Sequence, residues 1–290
     1  MSSALEIAAS EQTVETGVRA RRLRQVVAIL RLEARKNFFG KRSLLLYLLA
    51  LSPVLLLGTI VLFALSERDV ANLTEEASAI YAAIYGGLIL RTVVFFGCAW
   101  IFMNLFRGEI VDRSLHYYFL SAVRREVLVA GKYLSGLMAS IIFFGGTTLL
   151  SYFVLYVPRG LDASLSYIFN GPGLKHALTY LGITALACVG YGAVFLLVGL
   201  FFRNPIIPAL AAYGWEWINF LLPPLLKKIS VVHYLNSLMP VPMMENSPFA
   251  VMADPTPAWI SVPGLLFMTA LALLLAGWRI RHMEISYGSD

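Results

Sequence analysis

Residues 44–65 read LLLYLLALSPVLLLGTIVLFAL, without one charged side chain. Crossing the ~30 Å hydrocarbon core of a bilayer takes about 20 apolar residues at 1.5 Å per residue. This stretch meets that requirement and reads as a transmembrane helix. Further stretches of the same kind are Ala79–Phe106, Tyr133–Val157, Ala177–Phe201, Ile206–Leu226 and Trp259–Trp278. The fifth of the six is interrupted by Glu216, Asn219 and Pro223-Pro224, but its remaining residues are apolar enough to keep it in lipid. The whole chain agrees, with 59% of its 290 residues hydrophobic and 14% charged. A soluble domain is nearer a quarter charged. The expected fold class is an all-α membrane protein with six transmembrane helices.

The net charge of +6 is explained by where the cations fall. Arg19, Arg21, Arg22, Arg24, Arg31, Arg35, Lys36, Lys41 and Arg42 precede the first span. Arg107, Arg113, Arg124, Arg125 and Lys132 lie between the second and third, and Arg203, Arg279 and Arg281 belong to the same side. The opposite side holds only Arg68, Arg159, Lys175, Lys227 and Lys228. Lys and Arg are retained on the cytoplasmic side, so both termini are expected in the cytoplasm. This is a membrane-topology pattern, and nucleic acid is not an expected partner. Residues 1–18 are polar and mildly acidic, have no apolar core, and read as a disordered tail rather than a signal peptide. Residues 19–290 read as one transmembrane domain.

The segments that do not span carry the rest of the information. In Arg21–Arg42, the residues Leu23, Val26, Val27, Leu30, Ala34 and Phe38 repeat at helical spacing, with Arg24, Arg31 and Arg35 on another face. That is the pattern of an amphipathic helix lying in the membrane interface. Arg107–Lys132 is too polar to span, and Leu115, Tyr117, Tyr118, Phe119 and Leu120 form an aromatic-rich knot between charged flanks. Ser121 is placed to cap a helix that continues into the third span. Pro223–Pro263 contains eight of the 13 prolines, a density that forbids a long helix. Broken, re-entrant helices are expected there, before the last span.

Catalytic signatures are missing. No Gly-x-x-x-x-Gly-Lys-Ser/Thr occurs, and Gly145-Gly146-Thr147-Thr148 lies mid-span without a lysine. His116, His176, His233 and His282 form no metal-ligand spacing, and no nucleophile elbow is present. Cys98 and Cys188 fall in apolar runs and read as packing residues. The remaining signal is charge at depth. Arg91 and Glu216 both fall near the expected bilayer midplane, where a charge costs at least ~2.5–3.5 kcal/mol. Trp215 and Trp217 flank Glu216, and Asn219 follows one turn later. Arg91, Glu216 and Asn219 are therefore candidate intramembrane polar or pathway residues. Either Arg91 and Glu216 share a pair or cavity, or each faces water separately.

Taken together, these parts resemble the permease subunit of the type-2 ABC transporter family, whose exporter-like members have six spans per subunit. The resemblance rests on the basic amphipathic helix before the first span. It rests also on Phe106-Arg107-Gly108-Glu109, Ser114-Leu115, Leu120-Ser121, Arg125 and Gly131-Lys132, in that order, and on the proline-broken segment before the last span. Arg113-Ser114 stands where Gly-Thr is usual, and Ala122 or Val123 where the family has proline. The resemblance implies a homodimer of permeases in the bacterial inner membrane, served by two separate ATPase subunits that bind ATP and Mg²⁺. It implies no catalytic site and no cofactor in this chain. It also implies a cytoplasmic coupling helix, here carried by Arg107, Glu109, Arg113, Leu115, Tyr117, Tyr118 and Phe119. Two other classes fit the residues: an ion- or proton-coupled transporter or channel using Arg91 and Glu216, and a structural subunit of a membrane complex.

Overall fold

A computed structural model describes residues 24–40, 43–67, 70–111, 125–202, 204–218, 223–241 and 257–282. The described residues form helices and no strand. Helix α1 covers residues 24–39. It is followed by α2 (Ser43–Glu67), then by α3 (Val70–Ile84), a π-helical segment Tyr85–Val94 and α4 (Phe95–Val111) in one continuous run. Next come α5 (Arg125–Ser140), a second π-helical segment Ile141–Gly145 and α6 (Gly146–Tyr156). The remainder is α7 (Leu161–Phe169), α8 (Gly173–Phe201), α9 (Ile206–Ile218), the short α10 (Pro224–Lys227) and α11 (Val231–Asn236), and α12 (Ala258–Arg281).

Five runs are long and apolar enough to cross a membrane: Ser43–Ser66, Glu76–Gly108, Arg125–Tyr156, Gly173–Phe201 and Ala258–Arg281. The molecule is thus a polytopic helical membrane protein. The sixth expected span, Ile206–Leu226, contains only α9 as a long helix. At 1.5 Å per residue α9 is roughly 20 Å long, short of a ~30 Å core. Residues 219–222 lie outside the described ones, and beyond Pro223 the chain turns through α10 and α11. Pro223 and Pro224 stand at the far end of this expected span, where proline does not continue an α-helix.

Burial separates centre from periphery. Seventy-two per cent of the apolar window in the second run is buried, against 22% in the first and 28% in the last. The α4–α8 pairing forms the centre. A Cβ at Gly199 would stand 3.0 Å from the Met103 backbone, so glycine is what lets these helices touch. Around them a layer of buried hydroxyls replaces water as hydrogen-bond partner. Tyr81 Oη donates to Thr148 O at 2.8 Å, Tyr85 Oη to Tyr180 O at 3.0 Å, and Thr148 Oγ1 and Thr184 Oγ1 lie 3.0 Å apart. In α2, Pro53 has no N–H for the Leu49 carbonyl. Ser52 Oγ supplies a donor at 2.8 Å instead, and Thr147 Oγ1 reaches across to Ala50 O at 2.7 Å. Backbone polarity freed by proline is thus satisfied inside the bundle, as lipid requires.

Candidate functional site

Two groups of buried charge stand out, one at the end of the bundle that holds α1 and one deep within it. At the first, α1 packs on the beginning of α5. Val27, on the apolar stripe, is 60% exposed, whereas Ile29 and Glu33 are buried. A Cβ on Gly131 would lie 3.2 Å from Ile29, so Gly131 gives Ile29 room to dock. One turn along α1, Glu33 Oε1 accepts from Lys132 Nζ at 2.8 Å and from Lys36 Nζ at 3.3 Å. Lys132, fully buried, also donates to Leu105 O at 2.7 Å and lies 5.2 Å from the Phe106 ring centroid. One lysine therefore joins α1, the end of α4 and α5.

The same end is clamped to the last helix. Arg125 Nη1 donates to Ile280 O at 3.1 Å and to Arg281 O at 2.8 Å, satisfying carbonyls that a helix C-terminus leaves open. Arg281 pairs with Glu126, and Arg279 sits 5.3 Å from the Phe201 ring centroid at the end of α8. Of the expected coupling residues, Arg107 is half-buried in the last turns of α4, and Glu109 belongs to the same helix. Arg113, Leu115, Tyr117, Tyr118 and Phe119 lie outside the described residues, as does Asn219.

Deep in the bundle, Arg91 and Glu216 are both buried but form no direct ion pair. Glu216, in the last turn of α9, reaches over the start of α11. Its carboxylate accepts from Ser230 Oγ, from Val231 N at 3.0 Å and from Val232 N at 3.3 Å. Ser230 Oγ in turn accepts from His233 N at 3.3 Å, as an N-cap does. The carboxylate thus tethers α9 to the turn beyond the prolines. Arg91 lies in the π-helical segment of the second run, with its guanidinium 5.7 Å from the Trp217 ring centroid. Its Nε has no hydrogen-bond acceptor. Thr92 Oγ1 and Tyr213 Oη, 3.3 Å apart, tie the same π-helical segment to α9. Arg91 and Glu216 share one neighbourhood through Trp217 rather than through a salt bridge. The reason is that hydroxyl and backbone donors already occupy the carboxylate. In α11, burial and the nearby Lys227 and Lys228 hold the His233 imidazole below its ordinary pKa.

The sequence reading did not single out Glu33, Ile29 or Ser230. Lys132 entered it only as a topology charge and with Gly131 as part of a motif. The available signal was an acid, Glu33, in the middle of an otherwise basic helix. Among the described residues no three His, Cys, Asp or Glu side chains gather as a metal site, and Cys98 and Cys188 are buried and unbridged. Comparison with protein-family models, with curated proteins and with solved structures finds no match to this chain.

Proposed function

We propose that this chain is the permease subunit of an ATP-driven ABC exporter of the type-2 kind, working as a homodimer with two separate ATPase subunits that supply ATP and Mg²⁺. The supporting observation is the build of the end that holds α1. There Lys132 joins α1, α4 and α5, and Arg125 and Arg281 join α5 to α12. Residues 112–124 join α4 to α5 in the sequence, so the two helices they connect belong to one tied unit. A partner pressing on that segment would move α1 and the spans together, which is the mechanical need of a coupling element. Aromatic side chains such as Tyr117 and Phe119 suit a pocket on such a partner.

In this reading the chain has six spans, the sixth being completed around α9, and both termini face the cytoplasm of a bacterial inner membrane. Labelling of single cysteines from outside should reach Asn72→Cys and Asn246→Cys and spare Ser114→Cys. The function itself is tested by affinity purification in mild detergent. An ATPase should co-purify, and Tyr117→Ala with Phe119→Ala should lower transport-linked ATP hydrolysis while the permease still inserts. A double variant that assembles and couples like wild type defeats the proposal.

The buried Arg91 favours a second reading, an ion- or proton-coupled carrier. Transport by the chain alone in vesicles under an ion gradient, without ATP and abolished by Arg91→Met, would select it.

A further inference from the structure

Helix α1 has two sides of opposite character. Ile29 and Glu33 turn to the bundle, where Glu33 accepts from Lys132. Arg24, Arg31 and Arg35 are exposed. At 3.6 residues per turn, positions 24, 31 and 35 fall within about 40° of one another, and position 33 lies on the opposite side. Glu33 is the only acid between residues 24 and 39, and it is buried. The outward face is therefore a row of arginines with no carboxylate of its own helix beside it. Among the described residues none of the three arginines forms a hydrogen bond or an ion pair.

Charge alone suits any anionic partner, and the neighbouring side chains narrow the choice. Val27 borders the row on one side and Leu32 and Phe39 on the other. All three are exposed, Phe39 by 85%. Acidic headgroups above acyl chains meet both kinds of side chain at once. The height of the helix agrees. Tyr47 Oη donates to Phe38 O at 3.3 Å, Phe38 stacks on Phe143 with ring centroids 5.0 Å apart, and Gly40 O accepts from Ser43 N at 2.9 Å. These contacts fix the end of α1 at the first turn of a span. That turn exposes Leu44, Leu45 and Leu48, as a lipid-facing helix does. The outward face of α1 thus continues a surface that lipid already covers.

We propose that this face binds the headgroup layer of an anionic phospholipid membrane. Arg24, Arg31 and Arg35 contact the phosphate groups, while Leu32 and Phe39 enter the boundary of the acyl chains. Lipid charge then sets how firmly α1 is held, in addition to the Glu33–Lys132 contact on its other side. The surface does not depend on whether the chain is an ABC permease.

The test uses the full chain in nanodiscs of phosphatidylcholine alone, or of phosphatidylcholine and phosphatidylglycerol in equal parts, with amide hydrogen exchange followed along α1. Exchange should be roughly tenfold or more slower in the anionic discs, since each arginine near such a surface favours contact about fivefold. Added salt should shrink the difference. Replacing all three arginines, as Arg24→Gln, Arg31→Gln and Arg35→Gln, should abolish it, and lysine at the same positions should keep most of it. Arg31→Gln alone is the second variant should the triple one fold poorly, and it should lose part of the difference. Equal exchange in the two lipids, or an undiminished difference in the glutamine variants, would overturn the proposal. Slowing that needs a soluble protein and ignores lipid charge would overturn it too, by assigning the face to that protein.

Discussion

Glu33 and Glu216 are both carboxylates taken out of water, 4% and 6% exposed, and the fold satisfies them by different means. Glu33 meets cations, Lys132 at 2.8 Å and Lys36 at 3.3 Å. Glu216 meets neutral donors, the Ser230 hydroxyl and the Val231 and Val232 amides, while the Arg91 guanidinium stands over the Trp217 indole. The first arrangement joins three helices at one point through formal charge. The second fixes a chain turn that has no regular helix to hold it. Removing a partner should therefore do different things at the two places, and α1, which lies outside the spans, depends on the first.

The largest effect is expected at Lys132. Lys132→Met leaves Glu33 buried with one half-exposed lysine, and losing a buried partner typically costs ~3–5 kcal/mol. Thermal unfolding of the purified chain measures it. Adding Glu33→Gln to the same chain should restore much of the loss. If Lys132→Met melts like wild type, the junction is not what holds α1.

Next comes Glu216→Ala, which strips acceptors from a buried hydroxyl and two buried amides. Each orphaned donor costs about 1–3 kcal/mol, with relaxation of so short a helix reducing the total. Protease nicking between α10 and α12 should accelerate, with melting of the bundle changed less. Unchanged nicking would show that the tether is dispensable.

A pair of double-mutant cycles then tests the contrast directly. Glu33 with Lys132 should give a coupling energy of ~1–3 kcal/mol, as contacting residues do. Arg91 with Glu216, which do not touch, should give a smaller one. Equal couplings would remove the distinction drawn between the two carboxylates.

A smaller effect is expected from Gly131→Ala, whose new methyl crowds Ile29 at 3.2 Å. Overpacking of this kind costs roughly 1–3 kcal/mol, and Ile29→Val should relieve part of it. The smallest is a pH dependence at His233. Its folded pKa lies below the unfolded value of about 6.5, so the unfolded chain binds the proton first. Stability should fall slightly as pH drops from neutrality through that depressed pKa, and His233→Gln should remove that portion of the slope.

The span at 44–65 was fully legible because lipid sets one simple requirement, length without charge. The same rule found the second, third, fourth and last runs. At Ile206–Leu226 the described residues give only the 13-residue α9, and hydropathy, which averages over Glu216 and Pro223-Pro224, cannot see that the acid turns to hold α11. Burial of Arg91 and Glu216 was legible from their depth, but their separation was not, since Ser230 lies beyond the prolines and only the folded turn brings it to the carboxylate. On α1 the periodicity marked a helix, while the face that packs on the bundle was not legible in it. Val27 looks apolar in sequence and is exposed, whereas Glu33 looks like a surface residue and is buried.

By itself, then, the sequence determined the class of solvent, the approximate places where the chain crosses it, and the end of the bundle where positive charge collects. Those properties depend on composition over windows of about 20 residues, and no distant contact alters them. The tertiary structure decided which buried charges are paired. A carboxylate's partners depend on which donors a fold delivers to within about 3 Å. Lys132 is 99 positions from Glu33, and Ser230 is 14 from Glu216. Separations of that kind follow no period in the chain, and only packing closes them.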